Sequence, residues 1–569
     1  MTDFDQENLL SNLTAELLDL RASFEEYKVD QAENLDAFFL CTMAVIIFLM
    51  QCGFAFLEAG AVRSKNTTNI LFKNLLDSLF ALICYWSIGW ALAYGPSHGF
   101  VGKFIGEGQF LLINIHRTYT KFFFQYVFAA TASTIIAGAV AERCEFLAYV
   151  VYCSWISAFV YPILTHWGWD PHGWMAVGAT VGNTTISYID FAGAGVVHLC
   201  GGTISLVAAF FIEPRIGRFP IGSPPVEIKG HSVPFAALGG FILMFGFLAF
   251  NGGSTGTIMK KGSGLEVSRA MTNTIMSGTT ASFSYLILHF IRKRNLSLLL
   301  TINACLTGMV SACAACNQME PWGAIVTGIG SGIIYMILSG LVVRFRIDDP
   351  LDAFAVHAGG GSWGLMSATI VSHKGIFYTI IDGFRGRTWR GADFAQVGWQ
   401  LACLTAIILW SMITTIPIFW GLRRFGKLRV PAIIEIKGLD IYKHGEAAYP
   451  LHAYGHGWDE HEPIRSRKVS TVFPTTPRVI GNQMNESEII NEIENERKSS
   501  TISAPVLLEQ LARESLRSNG GNRKNGNTMI YHNPTVYEHP EFHYLARFKK
   551  AVHHPSKAEK ENGINERKL

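Results

Sequence analysis

The sequence is poor in charge. Asp, Glu, Lys and Arg make up 16% of its 569 residues, against roughly 25% in an average globular protein, while 49% are apolar. The shortage is uneven: 12 charged residues fall in 1–36, 32 in 450–569 and only 47 in the 413 residues between. A middle so depleted cannot present an aqueous surface, which excludes a disordered, nucleic-acid-binding or multidomain cytosolic protein. The formal net charge of +3 is too small to imply an anionic partner. These absences leave a polytopic, all-α integral membrane protein.

Other features are missing too. No basic segment followed by a short apolar run opens the chain, so no cleavable signal peptide is expected. The ten cysteines all lie in or beside apolar runs, which gives no disulfide framework. Cys313-Ala-Ala-Cys316 has a metal-like spacing without a second pair, and packing is the expected role. No cofactor or metal is expected.

What is present is a series of apolar stretches, each long enough to cross a hydrocarbon core of roughly 30 Å. Eleven are predicted: 37–57, 75–95, 122–140, 147–166, 191–212, 234–253, 272–291, 296–314, 323–343, 351–371 and 398–420. Lipid cannot satisfy an open backbone, so they must be helices. An odd number puts the termini on opposite sides. With the N-terminus outside, inner segments carry 17 Lys and Arg and outer ones 12, a modest bias for a cytoplasmic C-terminus. The expected organisation is an acidic extracellular head (1–36), the eleven-span domain (37–420), a cytoplasmic segment (421–449) and a mostly disordered cytoplasmic tail (450–569). Within the tail only 502–516 could form a short amphipathic helix. Asn12 and Asn183 are the sequons that would face outside.

An ionisable group inside a span is costly and therefore a functional candidate. His198 lies in 190-DFAGAGVVH-198 and His357 in 349-DPLDAFAVH-357, each about two turns into a span and preceded by an acidic residue. Asp190 reads as an N-cap. A lone histidine could serve only as an interhelical hydrogen-bonding residue. Two of them, five spans apart, suggest a 5+5 inverted repeat plus one helix, with the histidines meeting near the midplane. Two neutral imidazoles suit a small solute that both donates and accepts hydrogen bonds. A metal is the sharper alternative, but no third ligand accompanies them.

Aromatic residues form a second group. Phe124 and Phe128 stand four apart near the outer end of the third span, as do Phe250 and Ser254 in the sixth, and Trp174 lies in an outer loop. Each alone reads as packing or an interfacial belt. Together they describe a cage for a small cation capped by a hydroxyl, where cation–π attraction reaches roughly 2 kcal/mol when desolvated.

At these residues the chain resembles the ammonium transporter family (Amt/Mep). The resemblance runs in order through 124-FQYVF-128, 138-GAVAER-143, 190-DFAGAGVVH-198, 250-FNGGS-254, 349-DPLDAFAVH-357 and 438-GLDIYKHGEAAY-449, covering about 37–450. It implies an eleven-span fold, usually a homotrimer with one pore per subunit. It also implies ammonium capture at Phe124, Phe128, Trp174 and Ser254, a gate of Phe128 and Phe250, and His198 and His357 lining the pore. Asp190 would support the capture site from behind. Two positions depart from the family pattern. Phe247 stands where members often carry Trp, and Ile441-Tyr442-Lys443 offers no Thr for a phosphorylation switch.

The expected substrate is ammonium or ammonia, with methylammonium as an analogue, and the expected site of action is the plasma membrane. The cation would shed its proton before the gate and pass the histidines as ammonia. The competing readings are a Rhesus-type ammonia gas channel, an ammonium sensor signalling through 438–449 and the tail (which could bind cytoplasmic regulators), and an intramembrane enzyme. The last lacks a nucleophile or metal set, so no enzymatic activity is expected.

Overall fold

A computed structural model describes residues 3–115, 119–293, 295–373, 375–385, 391–450 and Tyr454. The amphipathic stretch expected at 502–516, and the rest of the tail beyond Pro450 apart from Tyr454, lie outside the described residues.

The described residues are mostly helical. They open with α1 (Asp3–Phe48) and α2 (Met50–Ala61). Next come α3 (Thr67–Cys84), a π-helical turn at Tyr85–Gly89, α4 (Trp90–Tyr94) and α5 (Tyr119–Ala139). α6 (Phe146–Trp155) passes through a second π turn, Ile156–Val160, into α7 (Tyr161–Trp169) and the short α8 (Trp174–Val177). β1 (Ala179–Val181) and β2 (Thr184–Ile186) pair as a small antiparallel hairpin. A π turn at Ala194–Leu199 leads into α9 (Cys200–Ile212). Then follow α10 (Val233–Gly253), α11 (Ser263–Lys293), α12 (Leu298–Ala312) and α13 (Pro321–Arg344). A π turn at Phe354–Gly359 precedes α14 (Gly360–Val371), and α15 (Ile376–Phe384) and α16 (Gly391–Arg424) complete the body. α17 (Ala432–Lys437) and a π turn at Asp440–His444 are the last described helical elements. Residues Phe219–Val226 form a separate short loop.

The eleven predicted stretches all fall largely on helix. Among the described residues, eight helices are long and apolar enough to cross a membrane. The boundary drawn at residue 36 does not coincide with an element end, because α1 runs unbroken across it. No Gly or Pro occurs before Gly53 to interrupt the helix.

The packing repeats itself along the chain. α3 packs on α5 and α6, as α11 packs on α12 and α13; α5 packs on α9, as α12 packs on α14. In both sets a π turn precedes the last helix, and each of those π turns carries a histidine.

Buried ion pairs tie the loops at one end. Arg215 donates to Asp348 at 2.7 and 3.1 Å and to Glu142 Oε1 at 3.1 Å, while Arg63 Nε donates to Glu142 Oε2 at 2.5 Å. Burial alone would push both carboxyls up. The guanidinium groups outweigh it and hold Asp348 and Glu142 below the usual carboxylate range.

Candidate functional site: a histidine pair beneath stacked phenylalanines

Asp190 shapes the first half of the site. Its carboxylate accepts backbone N–H bonds from Gly193 (2.9 Å), Ala194 (2.7 Å), Gly195 (2.9 Å) and Val196 (3.0 Å), and the Tyr188 hydroxyl at 3.1 Å. Four orphan donors at the start of a helix are thereby satisfied by one side chain, the N-cap role expected of Asp190. The preceding loop is pinned as well: Phe191 and Ala192 N–H donate to Ala314 and Cys313 carbonyls at 3.0 and 2.8 Å. The buried Cys313–Cys316 segment therefore acts as a packing surface.

Two turns on, His198 is fully buried and faces His357. The rings stack with centroids 5.2 Å apart and 12° between planes, and their Nδ1 atoms are 3.2 Å apart. At that separation one Nδ1 donates and the other accepts, so the two rings hold opposite tautomers. His198 Nε2 has no hydrogen-bond partner among the described residues. The helices bearing the pair cross at glycine. A β-carbon on Gly202 would lie 2.2 Å from Ala358 N, and one on Gly361 would lie 2.3 Å from Ala194 O. Each glycine is four residues after its histidine, so the two contacts are reciprocal.

Aromatic rings close one side of the pair. Phe250 lies 5.5 Å from His198 and stacks on Phe128 at 4.1 Å and 27°. Phe128 also meets Phe124 at 4.9 Å. Phe124 reaches the end of α10, where a β-carbon on Gly253 would sit 3.1 Å from its Cε2, next to Ser254. Ser254 Oγ donates to Phe250 O at 2.8 Å, which leaves its lone pairs free to accept. Phe247, the departure from the family pattern, stacks on His198 at 5.5 Å and 27°.

One tryptophan is placed differently from expectation. Trp174 packs against Trp167 and Trp399, each with centroids 5.8 Å away, and its indole N–H has no partner among the described residues. The ring set edge-on to Phe128, at 5.9 Å, is Trp169, whose Nε1 donates to Asp190 O at 2.8 Å. The reason is local. α7 ends at Trp169, and the turn that follows, with Gly173 N–H bonded to Asp170 O at 3.0 Å, carries residue 174 away. Asp190 thus anchors the histidine helix through its carboxylate and Trp169 through its carbonyl.

Sequence reasoning also missed Glu58. On the other side of the pair a cavity of about 30 Å³ is lined by His357, Val356, Phe54, Leu351 and Glu58. Asn74 Nδ2 donates to Glu58 Oε2 at 2.6 Å. The predicted span stops at residue 57; an acidic residue one position beyond an apolar run is the available signal.

The 438–449 segment is docked by specific bonds. Asp440 Oδ1 accepts from Asn69 N at 2.9 Å, Asn66 Oδ1 accepts from Leu439 N at 3.0 Å, and Lys443 pairs with Glu145 at 2.8 Å. His231 Nε2 and the Tyr449 hydroxyl are 2.9 Å apart.

Residues 37–449 match the model of the Ammonium Transporter Family. The chain belongs to this family. A Caenorhabditis elegans protein that carries the name ammonium transporter 1 as an inferred assignment is 58% identical over 465 residues, covering 81% of this chain and 86% of that relative. "Ammonium transporter 1 member 3" of Solanum lycopersicum is 33% identical, covering 74% and 95%. Among solved structures, one named "Sensor Amt Protein" superposes with a TM-score of 0.66 at 31% identity, covering 73% of this chain and 99% of that one. These relatives are named as transporters or sensors of the family and not as enzymes, which removes the intramembrane-enzyme reading.

Proposed function

We propose that this family member moves ammonium across a membrane, capturing the cation on one side and conducting it as ammonia past His198 and His357. The observation that carries this reading is the stack of Phe128 and Phe250 set directly against the histidine pair, with Ser254 and Trp169 beside it. Rings supply cation–π attraction of roughly 2 kcal/mol and Ser254 an acceptor, enough to gather a cation that no carboxylate holds. Beyond the gate a bare cation would cost at least about 2.5 kcal/mol, so ammonium gives its proton to water on the capture side before passage. The neutral molecule then finds a donor and an acceptor on the imidazoles. Trp169 takes the cage position assigned to Trp174 by the sequence.

In this reading the eleven helical stretches are eleven crossings: two sets of five related by an inverted repeat, plus α16. The N-terminus is outside and the C-terminus cytoplasmic. The recurrence of packing and the reciprocal glycines support the repeat. The active form is a homotrimer in the plasma membrane, and 421–449 is a cytoplasmic regulatory segment. A Rhesus-type gas channel fits less well, because a cage for a cation is superfluous to a gas.

A second reading, a sensor that reports through 438–449, is favoured by the bonds from Asp440, Lys443 and Tyr449 to the body and by the solved relative named as a sensor. Uptake of ammonium and methylammonium in transport-deficient cells, with current recorded simultaneously, tests the transport reading. Saturable uptake that excludes potassium supports it; surface-expressed protein without uptake overturns it in favour of the sensor.

A further inference from the structure

α1 is far longer than a crossing requires. Its 46 residues extend about 70 Å, more than twice a hydrocarbon core. From Asn8 to Asp30 every residue is exposed. The base of this stretch is clamped: the Asp36 carboxylate accepts from Thr257 Oγ1 (2.6 Å), Ile258 N (2.7 Å) and Met259 N (3.0 Å). The helix therefore leaves the body in a fixed direction.

Leu9, Leu18 and Val29 aside, its large apolar residues are not scattered. Leu10, Leu13, Leu17, Leu20, Phe24 and Tyr27 recur at alternating steps of three and four, and each is more than half exposed. That is the a/d pattern of a heptad, which an α-helix buries by winding against other helices of the same period. A lone solvated helix has no reason to carry such a seam.

We propose that residues 8–30 of α1 form a parallel coiled coil between copies of this chain. Two observations select the occupant. Every copy runs without a break from the seam into its first apolar stretch, so all copies leave the bilayer on the same side, in the same direction and in register. The flanking charges also match a parallel self-pairing. With Leu10 at a, Glu16 falls at g and Arg21 at the e position five residues on, where g meets e of the neighbouring strand. Lys28, the other basic residue of the first 36, stands at e as well, opposite Ser23, and pairs with Glu25 of its own helix at 3.0 Å. The coil depends on membrane insertion and not on the transport chemistry, so it can fail or stand without the histidine reading.

The test uses the full-length protein in membranes with the exposed Cys41 and Cys52 changed to Ser. No other cysteine precedes Cys84. Single cysteines are placed on the seam (Leu13→Cys, Leu17→Cys) and opposite it (Ala15→Cys, Ala22→Cys), then oxidised. The expected result is a product of twice the chain mass, at least five-fold more abundant from 13 and 17 than from 15 and 22. Glu16→Lys should weaken cross-linking at Leu17→Cys, and Glu16→Lys with Arg21→Glu should restore it. Equal cross-linking at all four positions, none at any, or adducts only with a protein of different mass would overturn the proposal.

Discussion

Gly202 presses on the backbone of Ala358 so closely that a β-carbon there would lie 2.2 Å from the Ala358 nitrogen. With its counterpart Gly361 against Ala194, it sets the distance between the helices that carry His198 and His357. Replacing Gly202 with Val must drive those backbones apart, and overpacking of this kind costs about 1–3 kcal/mol. Gly202→Val should therefore lower the unfolding temperature in detergent and cut methylammonium uptake at least ten-fold. Unchanged uptake would show that the pair tolerates separation.

Asp190 accepts five hydrogen bonds, four of them from backbone N–H groups. Hydrogen bonds to a charged group contribute about 1.5–3 kcal/mol each. Asp190→Ala leaves those donors buried and should abolish surface expression or lower stability by several times that figure. Asp190→Asn, which keeps one acceptor oxygen, should be intermediate. Thermal unfolding of the three proteins gives the order.

The two tryptophans separate by geometry. Trp169 lies edge-on to Phe128, whereas Trp174 sits among Trp167 and Trp399. Trp169→Leu should raise the ammonium concentration for half-maximal transport several-fold, in line with loss of a cation–π partner. Trp174→Leu should change it less. The reverse order in a concentration series would restore Trp174 to the cage.

The choice between these tryptophans was not legible in the sequence. Both precede Asp190 in one aromatic-rich run, and only the turn after Trp169 decides which ring reaches Phe128. The apolar stretches, the cap at Asp190 and the partnership of the two histidines were legible, because hydropathy, an acidic residue before a helix and an ionisable group in lipid each have one dominant physical meaning. The π turns under both histidines carry no compositional mark. Neither did the length of α1: acidic composition marks 1–36 as solvated, and only an unbroken helix turns its leucines into a seam.

Acid should loosen the loop end of the body. The folded-state carboxyls of Asp348 and Glu142 lie below their unfolded values. Their contribution is present above an unfolded value of about 4 and is lost as pH falls through the folded one. The difference in unfolding temperature between wild type and Asp348→Asn should be largest above about pH 5, begin to narrow below about 4 and close only in much stronger acid. A constant difference would assign the effect to packing.

The most direct measurement is ammonium, methylammonium and potassium flux in one preparation of the His198→Ala, His357→Ala double variant, with surface expression verified. Passage of a neutral molecule past the two imidazoles predicts that flux falls to background or that potassium enters. Wild-type ammonium flux with potassium still excluded would contradict it.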